Sequence, residues 1–154
     1  MYEESFKRQD KQFLIRNIRK EDINQEYIKL LQQLTEVNEL DEKKTNELLD
    51  ILNVNHNICV IEDNETKKVI GTGTILIEHK LIRNNGKVAH IEDIVIDKEY
   101  RQYGLGKMLI NCLTEYARLG NCYKCILDCS EENVGFYEKC KYSNKGNFMA
   151  IYFN

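Results

Sequence analysis

The stretch from His90 to Lys107 leaves this chain few ways to fold. An apolar run, Ile91 to Ile96, carries two adjacent carboxylates, Glu92 and Asp93, in its middle. It leads into Arg101-x-x-Gly104-x-Gly106, and an amphipathic helical pattern starts at once. A strand ending in a glycine turn that opens a helix makes an anion site. The glycines let the backbone approach a phosphate closely, and the first N–H groups of the helix have no internal partner. Two acids in a buried strand cost free energy unless they are hydrogen-bonded or used. In a regular strand they face opposite sides, so a bulge is needed for both to reach one site.

Periodicity orders the rest of the chain. Residues 1–11 are polar and read as a frayed, flexible N-terminus; residues 12–154 read as one domain. Phe13–Ile18 reads as a strand, and Ile23–Val37 as a helix with apolar residues every three and four. Asp41 is the expected cap of a second helix through Leu52. Strands follow at Asn57–Glu62 and Val69–Glu78 around the turn Asp63-Asn64-Glu65-Thr66. Asn84-Asn85-Gly86 is a second hairpin turn, which returns Lys87–Asp97 antiparallel. The helix after Gly104 aligns Leu105, Met108, Leu109, Cys112, Leu113 and Tyr116, and Gly120 closes it. A short strand at Tyr123–Asp128, a short helix at Asn133–Lys139 and a final strand at Asn147–Phe153 complete an α+β order, ββααβββαβαβ, with a mixed central sheet and flanking helices.

The 154 residues suffice for one domain with a real core. With 22 basic and 25 acidic residues the net charge is −3, which argues against nucleic acid as the main partner. No apolar run approaches the ~18 residues of a membrane span, and the charged start Met1-Tyr-Glu-Glu-Ser-Phe-Lys-Arg is no signal peptide. The expected compartment is therefore cytoplasmic, where six cysteines are free thiols. Cys122-x-x-Cys125-x-x-x-Cys129 has something of a metal spacing, but in a strand Cys122 and Cys125 face opposite sides and no fourth ligand is evident. No metal is expected.

Arg101-x-x-Gly104-x-Gly106 after a strand resembles the pyrophosphate loop of the GNAT superfamily of acetyl-CoA-dependent N-acetyltransferases. A lone glycine pattern of this length arises by chance. The resemblance sharpens with Glu78-His79-Lys80, His90-Ile91-Glu92-Asp93, Gly104-Leu105-Gly106-Lys107, Cys122-Tyr123-Lys124 and Asn133-Val134-Gly135-Phe136-Tyr137-Glu138-Lys139. These occur in the same order as in the eukaryotic glucosamine-6-phosphate N-acetyltransferase family, from about residue 12 to the end. The resemblance implies a GNAT fold, acetyl-CoA as co-substrate and a sugar phosphate as acceptor. It further implies direct transfer without a metal, a product on the route to UDP-N-acetylglucosamine, and a homodimer.

An amine that attacks a thioester must lose a proton, be held near the carbonyl, have the oxyanion stabilised and see the thiolate leave. The resemblance gives Tyr137 the thiolate, and Glu92 and Asp128 the amine; which acid is the base stays open. For the coenzyme it implies the backbone of Ile94, Val95 and Ile96, the loop Arg101, Gln102, Tyr103, Gly104, Leu105, Gly106 and Lys107, and Asn133, Tyr137 and Lys139 beyond. For the sugar phosphate it implies Thr35, Lys80, Arg83, Glu92, Asp93, Lys124 and Asp128. Each has a plainer reading: Tyr137 as a core aromatic beside Phe136, the carboxylates as salt-bridge or capping groups, the cations as solvated surface, Thr35 as a helix-end cap. One departure stands out. Where the family carries an arginine that reaches the phosphate, this chain reads Met149-Ala150-Ile151-Tyr152-Phe153, with Tyr152 in the arginine's place. Two rivals remain: a GNAT enzyme for another amine, such as a polyamine or protein lysine, and a non-catalytic acyl-CoA-binding module.

Overall fold

The structure, a computed structural model, describes residues 3–153. Met1 and Tyr2, within the expected frayed segment, and Asn154, at the expected domain end, lie outside the described residues. Six strands form one sheet in chain order: β1 (Glu3–Arg8), β2 (Lys11–Asn17), β3 (His56–Asp63), β4 (Val69–His79), β5 (Lys87–Ile96) and β6 (Cys122–Ile126). All neighbours are antiparallel except β5 and β6. The helices are α1 (Gln25–Leu31), α2 (Glu42–Ile51), the single turn α3 (Ile82–Asn85), α4 (Leu105–Leu119) and α5 (Val134–Lys139). No helix among the described residues is long and apolar enough to cross a membrane.

α4 lays its apolar stripe on one face of the sheet. Leu105, Leu109, Ile110 and Leu113 are fully buried there against Phe13, Ile15, Ile61, Ile75 and Ile91. α1 covers part of the other face, where Tyr27 and Leu30 meet Val60 and Val95. Arg16 is buried on that side and donates to Asp22 at 2.7 and 2.8 Å and to Glu62 at 2.7 and 3.2 Å. This network ties the loop before α1 to the sheet.

Four expectations change. Residues 3–8 are not frayed: β1 pairs in full register with β2, from Glu3↔Arg16 to Arg8↔Lys11, and Phe6 rests on Phe13 at 5.7 Å. Cross-strand pairing carries this polar strand, which composition alone does not reveal. α1 is shorter than Ile23–Val37. Asn24 caps its start, accepting from the N–H groups of Glu26 and Tyr27, and the helix ends at Leu31 because Leu34 finds no core to enter. Asn147–Phe153 forms no strand among the described residues: no neighbouring edge pairs with it, and its apolar side chains stand in solvent. Gly120 does end α4 but is not left-handed; that conformation passes to Asn121, at φ 59°. The capping aspartate at 41 and the turn at 63–66 stand as expected; the chain does reverse at Asn84-Asn85-Gly86, but in a longer turn in which Arg83, Asn84 and Asn85 are left-handed and Gly86 is extended.

Candidate active site

β5 is where the fold opens. Its pairing with β6 covers only Lys87–His90, so past His90 the outer edge of β5 has no strand beside it among the described residues. A wedge-shaped cleft between two parallel strands exposes backbone hydrogen-bonding groups that an extended ligand can pair with like an added strand.

A bulge sits at the mouth of this cleft. Thr72 pairs with Val95 and Thr74 with Glu92, so the single residue Gly73 faces both Asp93 and Ile94. Asp93 adopts φ 54°, the left-handed conformation of a bulged residue. The consequence shows in the packing: Ala89 and Ile91 face the α4-side core, and beyond the bulge Ile94 and Ile96 face it too. Without the extra residue Ile94 would be turned out. Glu92 keeps the parity of Val88 and His90, the face away from α4. Its carboxyl is held above the ordinary carboxylate range, first by burial, then by the nearby charges of Asp128 and Asp93, with His90 pulling the other way. Glu92 thus lies close enough to Asp128 and Asp93 to feel both charges.

The glycine turn is rigidly seated. Asp97 caps the short helical turn Lys98–Tyr103 by accepting from the Glu99 N–H at 2.9 Å. Tyr103 and Tyr100 pack on Phe13, with ring centroids at 5.6 and 6.4 Å, and the Tyr100 hydroxyl donates to Asp63 at 3.0 Å. Arg101 Nε donates to the Ile96 carbonyl, and Gly104 takes φ 68° to turn the chain into α4. The first N–H to bond back along the helix is that of Met108, to the Gly104 carbonyl. The N–H groups of Leu105, Gly106 and Lys107 therefore sit at the open, positive end of α4. A side chain at Gly106 would meet Phe136 at 3.2 Å, so α5 closes tightly over this turn. The side chains of Tyr103, Leu105, Val95 and Ile96 point into the two cores, so only their backbone can serve a ligand. Gln102, Lys107, Asn133 and Lys139 are exposed around the same end.

Tyr137 is half-buried on α5, edge-on to Phe136 at 5.0 Å. Burial, then the neighbouring Cys129, Cys140 and Asp128, raise its phenol above the ordinary value, so it stays protonated. Its hydroxyl has no hydrogen-bond partner among the described residues. A phenol near the acid group and free to donate is suited to a leaving thiolate.

The expected phosphate cations divide. Arg83 and Lys124 stand over one ring, that of Tyr123, at 5.7 and 5.9 Å from its centroid. The sequence does not mark Tyr123 as a site residue, because its link to the α3 turn is long-range and leaves no local signal. Lys80 is engaged differently. Its ammonium is paired with Glu78, which also bonds His90 Nε2 at 3.0 Å, and both partners lower the Glu78 carboxyl. Thr35 is exposed beyond α1; its neighbour Gln33 accepts from the Lys98 N–H at 2.9 Å, so this loop abuts the glycine turn rather than the cations. A second bulge corrects the cysteine geometry. The pairing slips at Tyr123, so Cys122 and Cys125 both pack on the α4-side core instead of facing opposite ways. Among the described residues no three His, Cys, Asp or Glu side chains gather as a metal site.

Comparison with known proteins agrees with this geometry. The model of the acetyltransferase (GNAT) family matches residues 21–142. The glucosamine 6-phosphate N-acetyltransferase of Arabidopsis thaliana is 40% identical over 145 residues, covering 92% of this chain and 97% of the relative. Glucosamine 6-phosphate N-acetyltransferase 1 of Dictyostelium discoideum is 42% identical over 134 residues, covering 86% and 85%. The crystal structure of the Arabidopsis thaliana enzyme superposes with a TM-score of 0.88 at 40% identity, over 92% of this chain and 99% of that one. The chain belongs to the GNAT acetyltransferase family, among its glucosamine 6-phosphate N-acetyltransferases.

Proposed function

We propose that this protein transfers the acetyl group of acetyl-CoA to the amine of glucosamine 6-phosphate, releasing coenzyme A and N-acetylglucosamine 6-phosphate for UDP-N-acetylglucosamine synthesis. One observation supports the reading: β6 leaves the edge of β5 open past His90, and Asp128 lies near enough to act on both Glu92 of that strand and the Tyr137 phenol.

The roles follow from the residues. The N–H groups of residues 102–107 hold the diphosphate at the start of α4. The free edge of Ile94–Ile96 pairs with the pantetheine arm and steadies the carbonyl oxygen as charge develops there. Glu92, with its raised carboxyl, is the group best matched to accept the amine proton near neutral pH; Asp128 and Asp93 orient the amine. Tyr137 donates its phenolic proton to the departing sulfur. Arg83 and Lys124, flanking Tyr123, hold the sugar phosphate, and Lys80 joins them only by giving up Glu78. The direct attack needs no metal.

We further take residues 12–154 as one domain, to which β1 adds an edge strand. We place the protein in the cytoplasm, where its six cysteines stay reduced as thiols. We take it to be a homodimer: Phe148, Met149, Ile151, Tyr152 and Phe153 are 67–90% exposed on a tail that no strand of its own chain receives.

Incubation with acetyl-CoA and glucosamine 6-phosphate tests the reaction. Mass and NMR analysis should find the N-acetylated sugar phosphate formed in step with free thiol. Thiol release without an acetylated sugar would refute it. The pairing of Lys80 with Glu78 and the Tyr152 departure favour one alternative, an amine acceptor without a phosphate.

A further inference from the structure

The strand that was expected to fray puts a cation beside the coenzyme's turn. Arg8, the last residue of β1, reaches Met108 in the first turn of α4, with Nη2 3.6 Å from the thioether sulfur. Its other contacts are its Nη1 bond to the Lys7 carbonyl at 3.0 Å and its position 5.4 Å over the Phe6 ring. Arg16, Arg19 and Arg118 each pair with a carboxylate. Arg8 has no carboxylate within ion-pair distance among the described residues. A thioether is a weak acceptor, so most of the guanidinium's five donors are unused. This is a planar cation, fixed by a ring beneath it and a helix turn beside it, without a counter-charge.

Topology says what would meet it, given the acetyl-CoA reading above, on which this inference rests. The pantetheine arm enters between β5 and β6, at one side of the sheet. Its diphosphate is held at the start of α4, so the nucleotide end must run away from that cleft. β1 is the opposite edge of the sheet. Burial pushes the Cys140 thiol up, and the charge of Lys107 only partly offsets this, so Lys107 lies toward the end of α5, the other way. The nucleotide end of coenzyme A carries one further anion, the phosphate on the ribose 3′ oxygen. We propose that Arg8 binds this 3′-phosphate and so distinguishes coenzyme A from its 3′-dephospho form. Guanidinium and phosphate match in a two-point contact that a lysine cannot copy.

Calorimetry with the full chain tests this, using coenzyme A and 3′-dephospho-coenzyme A as the two probes. Wild type should bind coenzyme A roughly 10-fold more tightly than the dephospho form, the size of one charge-assisted contact. Arg8→Gln should bind both alike, at the wild-type affinity for the dephospho form, and Arg8→Lys should fall between. A melting curve for each variant shows that β1 is retained. If Arg8→Gln keeps the wild-type preference, or weakens both ligands equally, the assignment is overturned. If wild type binds neither nucleotide, the acetyl-CoA reading fails with it.

Discussion

Gly73→Ala tests whether the bulge in β5 is held by packing from across the sheet. Gly73 alone faces Asp93 and Ile94. A methyl at its position would lie 2.3 Å from Ile94 Cδ1, 3.2 Å from Leu113 Cδ1 and 3.3 Å from Leu109 Cδ2. Carbon atoms rest about 3.5–4.0 Å apart, so the first contact overlaps severely. Leu109 and Leu113 are at 0% exposure and cannot retreat, so Ile94 must move. Ile94 Cδ1 ends a half-buried side chain that can rotate away, so the cost falls at the low end of overpacking, about 1 kcal/mol, which for a chain of this size lowers Tm by roughly 2–4 °C. Ile94 also carries the backbone edge that lines the cleft, so whatever part of the strain reaches its backbone lowers turnover, by up to about 100-fold for a shift near 1 Å. Thermal unfolding and thiol release from acetyl-CoA measure the two effects. A variant with wild-type Tm and wild-type turnover would refute the description of the bulge as packed against a space only glycine leaves.

Three further outcomes are expected. Tyr137→Phe should lower turnover on the order of 10-fold or more while calorimetric affinity for acetyl-CoA stays near wild type, because the proton it donates matters only as sulfur departs. The folded protein holds the Glu92 proton more tightly than the unfolded chain does. Activity should therefore fall as pH drops through that raised carboxyl. Glu92→Gln should remove this limb along with most activity, yet melt no lower than wild type at neutral pH, because ionised Glu92 opposes folding above its pKa. Deleting residues 147–154 should convert a dimer into a monomer by light scattering; a monomeric wild type would contradict the role given to the tail.

The centre of the fold was legible because its signals are local. A strand, a glycine turn and a helix with 3.6-residue periodicity follow one another from Ile91 to Leu119, and each announces itself within a few residues. The need for a bulge could be inferred from Glu92 and Asp93 needing one site. What stayed hidden is what depends on partners far along the chain. β1 exists because Glu3–Arg8 meets β2, not because its residues favour a strand. The slip at Tyr123 reverses the parity of Cys125, which no alternation rule foresees. The capture of Lys80 by Glu78 and the meeting of Arg83 and Lys124 at Tyr123 are also cross-strand or cross-turn events. The tail misled because an apolar run reads as a strand whether or not an edge is there to receive it.

The most direct measurement is kcat/KM across an amine panel, read by coenzyme A release: glucosamine 6-phosphate, glucosamine, spermidine and a lysine peptide, each with wild type and Arg83→Ala. Glucosamine 6-phosphate should lead for wild type, and Arg83→Ala should raise KM for it roughly 10-fold or more while leaving KM for acetyl-CoA nearly unchanged. Equal use of glucosamine and its phosphate, or a preference for spermidine or the peptide, would contradict the account.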